Sequence, residues 1–160
     1  MARRYGRAPR GERCRIAVPC GHYKTITVTA ALRATGLAAT ALFDGATNGT
    51  RFRAYVRDTL VPVLKCGDTV ILDNLGAHKV AGVREAIAAV GARLLYLPSY
   101  SPDFKPIEQA FAKLKALLRS AAARTVPDLW TAIRHAFAAF RPDECRNYLA
   151  AAGYDAYDPT

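Results

Sequence analysis

The sequence predicts an α/β domain, a mixed sheet flanked by helices in which antiparallel strands come first and parallel strands follow. Two patterns carry this. Residues 24–43 alternate apolar and polar side chains on either side of a turn, the period of a half-buried hairpin. Residues 70–72 and 94–97 are short apolar runs bounded by turn residues and separated by a helix-like stretch, as buried parallel strands are. A length of 160 residues gives one domain a real core and leaves too little for two.

Taken in order, the chain opens on a loop. Six arginines lie between Arg3 and Arg15, with glycine and proline among them. Such a stretch suits a phosphate backbone, and equally a solvated connection. Ile26, Val28, Ala30 and Leu32 then share one face of a strand, with Thr25, Thr27 and Thr29 on the other. Residues 34–36 turn the chain into an antiparallel partner over residues 37–43, which Asp44 and Gly45 end. Asn48 to Thr50 cap a helix reaching about Leu64, with Phe52, Val56, Leu60 and Val63 toward the sheet. Pro62 and Gly67 mark its end.

The strand at residues 70–72 follows, then a loop at 75–79, a helix over 80–90 and its closing Gly91. Pro98 and the turn-rich residues 99–103 end the strand at 94–97. Pro106 suits the first position of the next helix. There Ile107, Phe111, Leu114 and Leu118 form a core stripe. Thr125 to Asp128 looks like a capping sequence for a helix carrying Leu129, Ile133, Phe137 and Phe140, with Trp130 either covering the rim or stacking on a partner, burial being the default expectation. Arg141 and Pro142 begin a last short helix, which Gly153 closes.

Apolar residues make up 51% of the chain and charged residues 22%, which is a globular composition. A net charge of +10 favours polyanionic partners, nucleic acid first. Cys14, Cys20, Cys66 and Cys145 form no C-x-x-C pair and read as reduced thiols. No apolar run approaches the roughly 18 residues a membrane span needs, and no hydrophobic segment follows the arginine-rich start. A cytoplasmic setting without a membrane partner is expected.

Two acids are placed by their surroundings. Asp73 follows the first apolar run at its carboxyl end, and Glu108 falls in the first turn of the helix begun by Pro106. If the two runs are neighbouring parallel strands, both acids emerge at one sheet edge, where open α/β sheets place their ligands. Two carboxylates there suit magnesium, a hard ion held by one or two carboxylates with phosphate oxygens and waters. By itself Asp73 reads equally well as a strand-end turn residue. Glu108 reads also as a capping-box glutamate, although Lys105 cannot serve as the accepting cap. Glu108, Lys115 and Arg119 share a stripe next to the core stripe, which suits bound DNA or a solvated basic face.

The Asp73-Asn74 pair with His78, followed by LPSYSPDFKPIEQ with 34 residues between Asp73 and Glu108, resembles the DDE transposases of bacterial insertion sequences in the mariner superfamily. The similarity runs from RRYGRAPRGER to the closing AAGYD. It implies a ribonuclease H-like fold with Asp73 and Glu108 as the second and third metal-holding, catalytic acids. It also places Asn74, His78, Asp103 and Lys105 near the site, His78 being expected mainly as a structural hydrogen-bonding group. Two Mg²⁺ or Mn²⁺ ions would serve the complete enzyme, a homodimer acting on double-stranded DNA at transposon ends and target. Arg3, Arg4, Arg7, Arg10, Arg13, Lys79, Lys115 and Arg119 are the expected DNA contacts.

Two departures shape the expectation. The family's first acid ends a strand that precedes the segment matched at Met1. The chain is therefore expected to be one partial catalytic domain, residues 1–160, without that strand or the family's amino-terminal helix-turn-helix region. Lys105 stands where the family usually has Asn, which sets a cation beside Glu108. The expected activity is metal-dependent strand cleavage and transfer, with this chain inactive alone. A DNA-binding or dimerising fragment without catalysis, and a ribonuclease H-like nuclease, are the rival readings.

Overall fold

The protein, seen in a computed structural model, is described over residues 6–15, 25–99 and 101–154. Arg3, Arg4 and Cys20 lie outside the described residues. The alternating segment forms β1 (Ile26–Arg33) and β2 (Gly36–Asp44), an antiparallel hairpin turned by Ala34 and Thr35. Its register is interrupted once. Thr29 pairs with Ala41 and Ala31 with Ala38, so Ala30 faces two residues, Ala39 and Thr40, and Ala39 takes a positive φ of 47°. This bulge lets Leu37 and Leu42, an odd number of positions apart, reach the same face. Both pack with Val28 and Leu32 on the carboxyl-terminal helices, while Ala31, Ala41 and Phe43 pack on the opposite core. The hairpin is thus sandwiched on both faces, with Thr27 and Thr29 half-buried and Thr25 exposed.

The first helix starts as expected. Asn48 Oδ1 accepts the Arg51 N–H at 2.9 Å and caps α1 (Gly49–Tyr55). It continues to Val63, but as a wide π-type turn over Val56–Leu60 and a tight turn over Val61–Val63. Pro62 explains the change, since its ring would collide with the carbonyl four residues back in a regular helix. The altered pitch turns Val63 outward to 40% exposure, against the expectation that it faces the sheet.

β3 (Thr69–Leu72) and β4 (Arg93–Tyr96) pair in parallel, Val70 opposite Leu94. Between them α2 (Val83–Ala88) is shorter than the predicted 80–90. It starts three residues later, where Gly82 has φ 91° and the Glu85 carboxylate accepts the Gly82 N–H. Gly91 returns the chain at φ 74°, and a Cβ there would meet Cys66 Sγ at 2.7 Å. The two strands are not buried on both faces as predicted. Val70, Leu72 and Leu94 turn to the core, whereas Ile71 and Leu95 are exposed.

Among the described residues these four strands form two separate two-stranded sheets. Phe52, Val56 and Leu60 meet Val83 and Ile87 in one core. α3 (Pro106–Ala121), α4 (Val126–Ala138) and α5 (Pro142–Ala151) build the other around Ala110, Leu114, Leu118, Ile133 and Cys145. Ile107 and Phe111 are only half-buried, so the α3 core stripe is Ala110, Leu114 and Leu118. Thr125 caps α4 as expected, its hydroxyl accepting the Asp128 N–H. Lys113 of α3 pairs with Glu144 of α5, which also accepts from the Tyr148 hydroxyl. No helix of the described residues is long and apolar enough to cross a membrane.

Trp130 corrects another expectation. It lies one residue off the α4 core stripe and is 39% exposed, while Ile133 is almost wholly buried. Ile133→Ala should cost about 2–5 kcal/mol, and Trp130→Ala clearly less, by urea unfolding of each. A larger loss at Trp130 would return the indole to the core.

Candidate active site

The inner edges of the two sheets face each other across a groove of about 990 Å³. Residues 28–33 line one wall and residues 68–73 the other. Contiguous residues of each strand lining one space means that backbone edges, not only side chains, border it. At one end Arg33, the last residue of β1, pairs with Asp68, just before β3 begins. The end of β1 therefore lies beside the start of β3, and the two strands run in opposite directions. Asp68 also accepts the Lys65 N–H at 2.9 Å. That bond first, with the Arg33 guanidinium, outweighs burial and holds the Asp68 carboxyl below the usual carboxylate range.

Asp73 stands at the other end of β3. Parallel pairing fixes it there, because Leu72 pairs with Tyr96 as the strand ends and Leu97 donates its N–H to the Leu72 carbonyl. His78 Nδ1 lies 2.5 Å from Asp73 Oδ1, and Lys105 Nζ lies 3.3 Å from Oδ2. The close approach of His78 lacks hydrogen-bond directionality. It is a close contact and not a directed bond. The Leu75 N–H adds a contact of 3.3 Å. Burial raises the Asp73 pKa, but His78, the Leu75 N–H and Lys105 together outweigh it, and the carboxyl titrates below its ordinary value.

The structure separates His78 from α2, which the sequence placed it near. It sits on its own short turn (Gly76–His78), stacked at 4.2 Å on Phe52. Lys105 also differs from expectation: its ion pair is with Asp73, not with Glu108. Glu108 is exposed in the first turn of α3, and its N–H donates to the Lys105 carbonyl at 3.0 Å. Glu108, Lys115 and Arg119 line the same groove as Asp73, so the α3 polar stripe does face it. Asn74 lies beside Asp73 with Nδ2 donating to Ser99 Oγ at 2.8 Å and Oδ1 buried without a partner.

Other predicted residues lie apart. Asp103 is exposed on a short turn (Pro102–Phe104) and does not line the groove. Lys79 is exposed and stands 5.6 Å from the centre of the Tyr96 ring, as does Arg84 on the same ring. Arg7, Arg10 and Arg13 are exposed in a loop. Sequence reasoning missed Arg33, Asp68, Arg84, Tyr96 and Tyr154. Tyr154 donates its hydroxyl to the Phe104 carbonyl at 3.0 Å and so anchors the segment that carries Lys105. No local pattern marks a contact across 50 positions.

Among the described residues no three His, Cys, Asp or Glu side chains gather into a metal cluster. The donors that are present still fit a hard cation. Asp73 and Glu108 offer oxygen ligands to one groove, and Asp73 already holds the Lys105 ammonium on one oxygen, whereas Asn74, with Oδ1 buried, does not line that groove.

Comparison with known proteins gives a consistent result. Residues 1–130 match the family of the DDE superfamily endonuclease. A pre-cleavage Mos1 transpososome is similar with a TM-score of 0.68 at 14% identity, over 97% of this chain and 51% of that one. The Mos1 mariner paired end complex with Mn gives 0.67 at 18% identity, over 97% and 48%. The catalytic domain of Mos1 mariner transposase gives 0.61 at 16%, over 81% and 76%. The chain thus spans about half the length of the first two, and at such identity the likeness is one of fold, ribonuclease H-like. No curated protein matches in sequence.

The Arg33–Asp68 pair spans the groove, so its loss should loosen one sheet from the other. Asp68 has a depressed pKa in the folded state. Its stabilisation is therefore complete above the ordinary carboxylate value near 4 and fades as pH falls through the lower folded value. Arg33→Met should cost about 0.5–1 kcal/mol near pH 7 and much less near pH 2.5, by urea midpoints at both. An equal cost at both would remove the pair as the cause.

Proposed function

The chain belongs to the DDE superfamily of endonucleases, and from that premise we propose that it is the catalytic portion of an insertion-sequence transposase. The reaction is cleavage of DNA at the element's ends followed by attack of the freed 3′ hydroxyl on target DNA. The observation that carries this is a single groove receiving both Asp73 and Glu108, with Lys115 and Arg119 following on the same helix.

Asp73 and Glu108 would hold Mg²⁺ or Mn²⁺, with Asn74 beside them. A divalent ion at such a site polarises the phosphoryl group and lowers the pKa of an attacking water. The chain's own groups do the rest. His78 packs against one Asp73 oxygen, and Lys115 and Arg119 take the phosphate backbone as it leaves the acids. Lys79 and Arg84, gathered at Tyr96, extend the basic surface. The groove also supports completion of the sheet by one extended segment. Such a strand would pair with both edges, and running parallel to β3 it would end beside Asp73. A third carboxylate at that point would complete the metal-holding set. Pairing of two copies on two DNA ends belongs to the same reading, by analogy with the Mos1 paired end complex.

One observation favours a second reading for the 160 residues alone. Asp73 is already ion-paired with Lys105 and in contact with His78, and no third acid clusters with it among the described residues. By itself the chain would then bind DNA without cutting it.

The deciding assay uses labelled transposon-end duplex with Mn²⁺ and two proteins: this chain, and the chain extended upstream by one strand ending in Asp. Cleavage is expected from the extended protein only, reduced roughly 10²-fold or more by Asp73→Asn or Glu108→Gln. Cleavage indifferent to both substitutions would end the assignment of these acids. Binding of duplex DNA should weaken steeply with salt, and Lys115→Ala with Arg119→Ala should lower the slope of log affinity against log salt by about 2. An unchanged slope would take both residues off the DNA path.

A further inference from the structure

We infer that Lys105 is a tethered cation that occupies the charge position at Asp73 when no divalent ion is bound, and that it sets how much metal the site requires. The inference rests on the metal-holding reading of Asp73 given above. Lys105 is the residue immediately before α3, a position where Ser, Thr, Asp or Asn would accept a helix N–H. An ammonium cannot, and no side-chain cap forms there. Its side chain is instead directed back to Asp73 Oδ2 at 3.3 Å, with both groups about three-quarters buried, at 25% and 22% exposure.

The segment is not free to drift. The Phe104 carbonyl is held by the Tyr154 hydroxyl, and the Lys105 carbonyl by the Glu108 N–H. The ammonium therefore has a high local concentration at the carboxylate. A divalent ion binding Asp73 must either displace it or accept a like charge a few ångströms away. Both lower metal affinity. His78 remains on the other oxygen in either state, so Lys105 is the group able to yield, its long stem giving it a route toward the groove.

The test is Mn²⁺ binding to the full chain, followed by the loss of the free-ion electron paramagnetic resonance signal. Lys105→Met removes the charge at similar length, Lys105→Arg keeps it, and Asp73→Asn removes the ligand. Circular dichroism checks that each variant folds. Lys105→Met should bind Mn²⁺ roughly 3–10-fold tighter than the native chain, and Lys105→Arg about as weakly as the native chain. The advantage of the Met variant should shrink as salt rises. Equal or weaker binding by Lys105→Met, with Asp73→Asn still abolishing it, would overturn the role of Lys105 and leave the metal site standing. No Mn²⁺ binding by any form would overturn both.

Discussion

Among the described residues, everything at the groove follows from two strand edges that face each other without pairing. β1 and β3 each spend one edge on a partner, β2 and β4, and present the other to the same space. Backbone N–H and C=O groups carry a strong demand for partners, so two opposed open edges form a template for a further strand. The rest of the molecule holds this arrangement apart. One core locks β3 and β4 to α1 and α2, another locks the hairpin to α3, α4 and α5, and the hairpin contributes to both. The groove persists because each wall is braced from behind.

Charge divides the groove into two ends with different tasks. The Arg33–Asp68 pair belongs to architecture, since it spans from one sheet to the other and Asp68 is further fixed by the Lys65 N–H. At the opposite end Asp73 collects His78 and Lys105 with no such cross-sheet tie. There the carboxylate has the Lys105 ammonium on one oxygen and the His78 ring on the other. Among the described residues Glu108 has no comparable partners, and it is exposed on α3. The two acids therefore differ: Asp73 is ion-paired with Lys105, and Glu108 is exposed to the groove.

The sequence showed the elements well and the joints poorly. Period-two alternation located the hairpin, apolar runs located β3 and β4, and Asn48 and Thr125 marked helix starts by cap chemistry that acts within three residues. What failed depended on events at longer range or on a change of pitch. A bulge at Ala39 moved Leu37 and Leu42 onto one face, which strict alternation forbids. Pro62 rewound the end of the first helix and turned Val63 out. The Arg33–Asp68 and Lys105–Asp73 pairs join residues 35 and 32 positions apart, and nothing local to either sequence encodes them. Asp73 and Glu108 were legible because strand-end and helix-start positions are local properties, and parallel pairing then brings them to one edge.

The position of the site follows from the strand directions and from the edges that the described residues leave unpaired. β3 and β4 run parallel, so their carboxyl ends share one edge of the sheet, and Asp73 is the residue at that edge next to the open side. A strand entering the groove could align with β3 or with β1, since the two run oppositely. Only alignment with β3 brings its carboxyl end to Asp73. The opposite alignment would deliver its amino end there instead, with an N–H where an acid is needed. Orientation of the inserted strand is therefore coupled to chemistry, and the apolar residues of β1 and β3 that line the groove reward an apolar segment in either direction. In the proposed reading, fold completion and assembly of the acidic site would be one event, because a segment aligned with β3 that paired with the two edges would carry its last residue to Asp73.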